Sequence, residues 1–431
     1  MTLARATISS WAERVAVGGL LASAAVVSLG LALKEAAVAV AIIAWLIHKS
    51  TARAASLPSV AWLLGLWFLA GVLSLVHTVD MHASLRGLLK MVRAIGIILV
   101  AADCLRTKPR LQVLIVAVLI GASLVSLDAF AQGAFGYDLW RHLPAGDAPG
   151  GLRRLTAGYG HANDLANNLI STLPVCLAVA LGVLRVPYRR WAWGLVAALG
   201  TILVLTFSRS GALGLGVGLV VFCIARHAWK TLGGLAIVAF VGWMHLPAPI
   251  REWVATQPSW IHVLAQPLRL EIWQAALNMI RAHPVFGVGV NTFVLNYARY
   301  KLPTDTLLSA YAHNQYLHMA AELGLVGLSA FLWLLVRTFG VWRRLLAHSD
   351  AEVRLIAVGL GCSLVAFCTQ GLLESALYAP RVVYVWLWIG ALFGMAAGGR
   401  QSEAAPASVA RGVTPRSMSP TVVVQRTTER S

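Results

Sequence analysis

The sequence predicts an all-α polytopic membrane protein with about twelve transmembrane helices. Of its 431 residues, 58% are hydrophobic and 12% are charged, and the mean hydropathy is +0.74. This composition belongs in hydrocarbon, where a helix needs ~20 apolar residues to cross the bilayer. Apolar runs separated by short basic or turn-rich segments lie at about 15–33, 36–48, 60–77, 87–103, 111–130, 165–184, 191–207, 210–225, 231–246, 314–336, 353–373 and 381–397.

Lysine and arginine fall mainly on one side of this predicted topology. With the N-terminus inside, alternate short loops carry the basic residues that cytoplasmic loops accumulate. The other side receives two long loops, at about 131–164 and 247–312, and these also contain arginines. The outward arginines oppose the usual bias and therefore need another explanation.

We expect one transmembrane domain over residues 1–398 and a disordered, basic cytoplasmic tail over residues 399–431, where hydrophobic periodicity is lost. The net charge of +18 follows largely from loop topology and contact with anionic membrane lipids. Because the basic residues are scattered over many short loops, nucleic acid is not an expected partner. The five cysteines form no CxxC pair, so we interpret them as packing residues.

The second outward loop has the spacing of short amphipathic helices. Leu268, Ile272 and Met279 recur at helical intervals, so helices are expected to lie there against the outer leaflet. Tyr311 stands near the end of this loop, within a cluster of tyrosines. Tyrosine favours the membrane interface on its own, so a substrate contact and a purely interfacial position both stay open for Tyr311.

His313 and Asn314 stand at the mouth of the helix that follows this loop. A neutral imidazole accepts a proton near pH 7, because the ordinary pKa of histidine is about 6.5. The positive end of a helix dipole also disfavours the charged form. We therefore expect His313 to act as a general base with Asn314 supporting it. An interfacial histidine without chemistry is the alternative.

Four outward arginines are candidates for binding a phosphate. Arg209 lies in a tight turn between two helices, Arg269 begins an amphipathic helix, and Arg153 and Arg154 lie near the end of the first outward loop. The planar guanidinium fork fits phosphate better than the lysine ammonium does. The alternative for Arg209 is that it snorkels to lipid head groups. After the arginine pair, Asn163 or Asp164 is expected to cap the next helix, a role more typical of these residues than catalysis.

Glu322 lies nine residues after His313, which places it half a turn around the helix and ~13 Å deeper. It cannot partner His313 within that helix. An ionisable group at this depth suggests a function, although pairing with an arginine is equally open. Neither outward loop has a DxD pair, no HExxH motif is present, and the glycines at 287 and 289 lack the GK[ST] of a phosphate loop and indicate a turn. The sequence predicts neither metal nor cofactor.

In order along the chain, these segments resemble the O-antigen ligase and polymerase superfamily over roughly residues 60–395. The resemblance is carried by an ordered set of short motifs: Gly158-x-Gly160-x-x-Asn163, Ser208-Arg209-Ser210-Gly211, Arg269 with Trp273, His283-Pro284-x-x-Gly287-x-Gly289, and His313-Asn314 through Glu322-x-Gly324.

The resemblance, closest to the ligase branch, implies a metal-independent, inverting glycosyltransferase of the GT-C kind in the bacterial inner membrane, with a periplasmic active site. Its donor would be O-antigen linked to undecaprenyl diphosphate, and its acceptor a sugar hydroxyl of lipid A-core. Arg209 and Arg269, with Arg153 or Arg154, would hold the diphosphate, and His313 would take the acceptor proton.

Three alternatives stay open. An O-antigen polymerase would use a second lipid-linked glycan as acceptor. A protein O-oligosaccharyltransferase would be favoured by a large C-terminal periplasmic domain, whereas this sequence ends in a short basic tail. A flippase for lipid-linked oligosaccharides would spread polar groups along its whole path, whereas here they gather on one side.

Overall fold

The computed structural model describes residues 2–52, 56–148, 151–228, 233–234, 244, 248, 255, 267–377 and 382–409. Within these residues the chain is mostly helical, with a single two-stranded hairpin as its sheet. The helices, numbered here in chain order, are α1 Thr2–Ala25, α2 Leu31–Thr51, α3 Ala61–Leu73, α4 Met81–Cys104, α5 Lys108–Phe135, α6 Ala162–Ala178, α7 Val186–Leu205, α8 Arg209–Ala225, α9 Pro267–Ala282, α10 Phe293–Tyr300, α11 Gln315–Leu345, α12 Ala351–Gln370 and α13 Tyr384–Val409.

Five helices of the described part are long and apolar enough to cross a bilayer: Leu31–Thr51, Lys108–Phe135, Ala162–Val183, Gln315–Leu345 and Ala351–Gln370. Three shorter apolar helices add to them. The chain is therefore a multi-pass helical membrane protein, as the composition predicts. The count of twelve stays a prediction, and the run expected at about 231–246 lies almost wholly outside the described residues.

One predicted boundary is wrong. The apolar run at about 15–33 was expected to form one helix, but α1 ends at Ala25 and α2 begins at Leu31. The two helices pack against each other along their length. Apolar residues continue through the turn between them, so hydropathy alone does not show the reversal of the chain.

The helix ends sort into two groups by their contacts. At one end, Lys108 of α5 pairs with Asp350, the N-cap of α12 (Nζ to Oδ2, 2.9 Å). At the opposite end, the Arg154 Nε donates to the Thr206 carbonyl at the α7–α8 turn (2.9 Å). The loops predicted to face outward lie at this second end, which we call the site end. That it faces the periplasm stays a prediction.

The first long loop contains a small antiparallel hairpin. Strand β1, Gly146–Asp147, pairs with β2, Arg153–Arg154, with Gly146 opposite Arg154. The Gln132 side chain of α5 accepts hydrogen bonds from the backbone N–H groups of Thr156 and Ala157 (2.7 and 2.9 Å). This contact fixes the chain just after the hairpin, so the arginines of β2 reach the site end in a defined position.

The second long loop contains the short amphipathic helices that its spacing predicts. Ile272, Met279 and Phe293 of α9 and α10 are buried in a small apolar cluster beside α11. Burying a side chain of this size typically contributes about 1.5–3 kcal/mol. The cluster holds α9 in place, and α9 carries Arg269.

The turn between α9 and α10 docks against a kink in α11. The Val288 and Gly289 N–H groups donate to the carbonyls of Ala321 and Glu322 (2.9 and 3.1 Å). At the kink, Gly324 has φ 68° and ψ −175°, a conformation essentially restricted to glycine. A Cβ on Gly324 would lie 2.1 Å from the Val285 carbonyl oxygen. Gly287 and Gly289, which both have positive φ, therefore lie in a structural turn, as predicted.

The last helix, α13, continues to Val409, into the segment expected to be a disordered tail. Residues 410–431 lie outside the described residues. Near its start, the Trp388 indole donates to the Ser171 carbonyl of α6 (2.9 Å), and farther along α13 packs closely on α4.

Candidate active site

The turn after α12, residues 371–375, holds together the segments that carry the predicted site residues. The Asn314 N–H donates to the Ser375 hydroxyl (3.1 Å). An Arg269 guanidinium N–H donates to the Leu373 carbonyl (3.3 Å). The start of α11 and the start of α9 are therefore both anchored to the same short turn.

His313 and Glu374 form a hydrogen-bonded pair within this arrangement. The His313 Nδ1 lies 3.1 Å from the Glu374 Oε1, and the Asn163 amide donates to the other carboxylate oxygen (2.6 Å). The His313 side chain is 39% exposed, whereas that of Glu374 is only 12% exposed. An ionised carboxylate can only accept, so the proton between the two side chains is on Nδ1, and in that tautomer of the ring Nε2 carries the lone pair.

Glu374 stays ionised in spite of its burial. Burial by itself disfavours the charged carboxylate, but the hydrogen bond and charge of His313, with donors from the Ser375 backbone and Asn163, hold the pKa of Glu374 below its ordinary value. A carboxylate in this state fixes the tautomer and the orientation of the imidazole.

The backbone around His313 is held from both sides. The Trp273 indole donates to the Ala312 carbonyl (3.0 Å), and the Asn314 side chain caps α11 by accepting from the Tyr316 and Leu317 N–H groups (3.0 Å each). Between these contacts, His313 has φ 44°, in the left-handed region that non-glycine residues rarely adopt. Such a conformation persists only where the surroundings impose it, and here it directs the imidazole toward Glu374.

Three of the four predicted arginines act on one another electrostatically, and one of them, Arg269, also acts on Glu374. Burial lowers the pKa of Arg154, and the nearby charge of Arg209 lowers it further. Burial also lowers the pKa of Arg269, with Glu374 opposing and Arg209 adding to that shift. Arg209 therefore lies within electrostatic range of both other guanidinium groups. A bound anion would relieve the repulsion that Arg209 exerts on the other two guanidinium groups.

Helix geometry positions Arg209. Ser208 is the N-cap of α8 and its hydroxyl accepts from the Gly211 N–H (3.2 Å), so Arg209 is the first residue of the helix. The preceding Phe207 has φ 52°, which makes the α7–α8 turn tight. The free N–H groups of a helix start add to the positive potential around Arg209.

Three predicted site residues lie elsewhere. The exposed Arg153 donates to the Gly133 and Ala134 carbonyls at the end of α5 (2.9 and 2.8 Å). Tyr311 is 58% exposed, and its ring stacks near that of His318 (centroids 6.3 Å). The two adjacent arginines therefore have different surroundings: Arg153 contacts the end of α5, whereas Arg154 interacts with Arg209.

Glu322, the third of these residues, is fixed by backbone contacts. Its two carboxylate oxygens accept from the Asn291 and Phe293 N–H groups (2.8 and 2.9 Å), and the His318 Nε2 lies 3.2 Å from one of them. Phe293 begins α10, so Glu322 holds the start of that helix. It is 1% exposed.

The sequence reasoning missed Glu374 and assigned Asn163 to the wrong role. Helix α6 begins at Ala162 with His161 as its N-cap, so the capping predicted for Asn163 or Asp164 is wrong, and the Asn163 amide binds Glu374 instead. A signal for Glu374 was present in the sequence. It is an acidic residue immediately after an apolar run that ends at the same side as His313.

Comparison with known proteins identifies a family over part of the chain. Residues 193–332 match the family described as O-Antigen ligase. This segment includes Arg209, Arg269 and His313, whereas Arg154 and Glu374 lie outside it. No curated protein matches the chain at a significant level.

Among solved structures, the fold is similar to a chain in the structure titled "Structural coordination of polymerization and crosslinking by a peptidoglycan synthase complex". The two share 17% sequence identity with a TM-score of 0.44, over 78% of this chain and 96% of that one. A likeness of this size does not bear on activity. The family match is more informative, because it covers the segment in which the motifs converge on the site. The similarity to the O-antigen ligase family is therefore located in residues 193–332, the segment that contains Arg209, Arg269 and His313.

Proposed function

We propose that the chain is an O-antigen ligase, which transfers O-antigen from undecaprenyl diphosphate to a sugar hydroxyl of lipid A-core at the periplasmic face of the inner membrane. The observation that carries this proposal is the convergence of one imidazole–carboxylate pair and three guanidinium groups at the site end. A glycosyl transfer from a diphosphate needs both a base for the acceptor and positive charge for the leaving group.

In the proposed reaction, the acceptor hydroxyl gives its proton to the His313 Nε2 while its oxygen bonds to the anomeric carbon. The bond between that carbon and the diphosphate oxygen breaks, and its electron pair leaves with the diphosphate. A single displacement inverts the anomeric centre. Glu374 stabilises the imidazolium that forms, because its carboxylate accepts from Nδ1 throughout.

The arginine cluster has the complementary role. Arg209, Arg269 and Arg154 bind the donor diphosphate and stabilise the negative charge that develops on it. The two anionic phosphates also relieve the mutual repulsion of the guanidinium groups. Because all the required charge comes from side chains, we expect turnover without divalent metal and without ATP.

Reconstituted transfer tests this proposal. Purified protein in liposomes is mixed with undecaprenyl-diphosphate-linked glycan and lipid A-core, with EDTA and without ATP, and the glycosylated lipid is measured. His313→Ala is compared with His82→Ala, which removes an exposed histidine of α4, and Arg209→Ala with Arg281→Ala, which removes an exposed arginine of α9.

We expect His313→Ala to lose about 10²–10⁴-fold in rate, as is typical for removal of a general base, and the two control variants to stay near wild type. Equal transfer by His313→Ala would remove the proposed base. Glycan that lengthens on its carrier without reaching lipid A-core would select the O-antigen polymerase instead.

A further inference from the structure

A small polar cavity lies between α6 and the start of α13. Its described lining consists of residues 382–385 and four polar residues of α6, namely Asp164, Asn167, Asn168 and Ser171. These four fall within about two turns of α6, just below the first-turn Asn163 that donates to Glu374. We call this space the α6–α13 cavity.

Two asparagine amides in this cavity are buried without a partner. The Asn167 Oδ1 and the Asn168 Nδ2 have no hydrogen bond to any group in the described part of the chain. The two residues are only 4% and 6% exposed, so bulk water does not satisfy them. A buried amide that forms no hydrogen bond is costly, and nearly all such groups in folded proteins are paired with protein or with ordered water. The pair of amides therefore indicates a small ligand.

The start of α13 adds donors to the same cavity. Tyr384 is the first residue of α13, and the N–H groups in the first turn of a helix have no acceptor within that helix. Tyr384 and Val385 both line the cavity. The Tyr384 hydroxyl is used elsewhere, because it donates to the Ala24 carbonyl (2.7 Å). The lining thus offers an acceptor from Asn167 and donors from Asn168 and the helix start.

The size and the mixed polarity of the cavity select its ligand. The cavity offers about 10 Å³ to the centre of a water molecule, and roughly 10–15 Å³ in this measure is needed to hold one water. A sugar ring or a lipid head group is therefore too large. The N–H donors disfavour a cation and the Asp164 carboxylate disfavours an anion, whereas water both donates and accepts. Buried waters typically form about three hydrogen bonds, which Asn167, Asn168 and one helix-start N–H can supply.

The cavity lies between two direct contacts that join α6 to the chain after α12. Nearer the site end, the Asn163 amide donates to Glu374 (2.6 Å). Farther from it, the Trp388 indole donates to the Ser171 carbonyl (2.9 Å). Asn163 and Ser171 are eight residues apart, or ~12 Å along the helix. A bridging group in the cavity would therefore restrain the same two segments between these contacts.

We propose that one ordered water molecule in the α6–α13 cavity is a structural part of the protein, bound by Asn167, Asn168 and the first N–H groups of α13. With the two direct contacts, it fixes α6 relative to the segment that carries Glu374. Asn167 and Asn168 are then positioning residues for the pair of His313 and Glu374. The water site itself is independent of the proposed function, whereas its effect on transfer rests on that function.

Density maps and kinetics together test the proposal. Wild type, Asn167→Leu and Thr172→Val are compared by cryo-electron microscopy in nanodiscs, at a resolution that shows ordered water, and by the reconstituted transfer assay. Leucine is close to asparagine in shape but cannot accept a hydrogen bond. Thr172→Val is the matched control, because it also exchanges a polar for an apolar side chain at a buried position of α6, but one that does not line the cavity.

We expect wild type and Thr172→Val to show a density peak at about 2.5–3.2 Å from the Asn167 side chain, and Asn167→Leu to lack it. In Asn167→Leu, kcat per folded molecule should fall about tenfold, because a small misplacement of a catalytic group slows the reaction. The donor KM should stay constant, since the variant leaves the arginine cluster unchanged. A purely structural role would lower the melting temperature without this separation of kcat from KM.

Absence of the density peak in wild type would overturn the water site, and this result does not require any variant to fold. Persistence of the peak in Asn167→Leu would overturn the assignment of Asn167 as its ligand. Equal kcat per folded molecule in Asn167→Leu and wild type would overturn the positioning role. If wild type shows the water but transfers no glycan, the proposed ligase function fails while the water site stands.

Discussion

Glu374 and Glu322 are both acidic side chains next to a histidine, yet their surroundings differ. The Glu374 carboxylate is held mainly by side chains, Asn163 and His313, and its histidine is partly exposed. Glu322 is held by two backbone N–H groups, and its histidine, His318, is buried. The first arrangement presents an imidazole to a substrate, whereas the second fixes the start of a helix. A buried carboxylate is therefore informative about function only when its partners are known.

The largest expected effect is a loss of folded protein when the α11 kink, two residues after Glu322, is altered. Gly324→Ala should abolish most of the folded protein, because its Cβ would meet the Val285 carbonyl and its backbone conformation excludes alanine. The matched control is Gly216→Ala in α8, where no atom lies within 4 Å of the added carbon. Yield of monodisperse protein and the melting temperature in detergent are the measurements. Normal folding of Gly324→Ala would contradict a structural role for the kink.

Replacing each of the two glutamates by glutamine tests this comparison directly. Glu374→Gln should lower kcat by about 10²-fold, since it removes the charge that stabilises the imidazolium, and should lower the melting temperature at neutral pH by less than Glu322→Gln does. Glu322→Gln should instead cost about 1.5–3 kcal/mol of stability, with kcat per folded molecule retained, because it weakens charge-assisted hydrogen bonds. A loss of kcat in Glu322→Gln together with a loss of stability in Glu374→Gln would show that Glu322 has the catalytic role and Glu374 the structural one.

These residues also show how far the sequence leads. His313, Arg209 and Arg269 could be predicted, because each is a polar residue at the end of an apolar or amphipathic helix on one side of the predicted topology. The partner of His313 could not, since Glu374 is 61 residues away and meets it only through the packing of α11 and α12. The membrane fold followed from composition, whereas the α1–α2 turn did not, because apolar residues continue across it.

A smaller difference in kinetic effect is expected between variants of the adjacent residues Arg153 and Arg154. Arg154→Gln should raise the donor KM about tenfold, because it removes one guanidinium from the cluster. Arg153→Gln should leave the donor KM unchanged, since that side chain caps the end of α5. Steady-state kinetics at saturating acceptor separate the two. A larger kinetic effect from Arg153→Gln would show that the division of the pair is wrong.

The smallest expected effect concerns pH. The pKa of Glu374 is held below its ordinary 4.5, so its ionised form stabilises the folded protein at every pH above that value. This contribution should be lost as the pH falls below 4.5 and through the lowered pKa. Melting temperatures of wild type and Glu374→Gln, measured between pH 7 and pH 3, should therefore converge at the acid end. Parallel curves would contradict an ionised Glu374.

The contact between His313 and Glu374 joins the beginning of α11 to the segment that follows α12. Sliding one of these helices past the other by a single turn, 5.4 Å, would separate the two side chains completely. The contact therefore depends on the relative position of the two helices along their axes. The NMR signal of the His313 ring would report whether the helices are correctly packed, even in the absence of substrate.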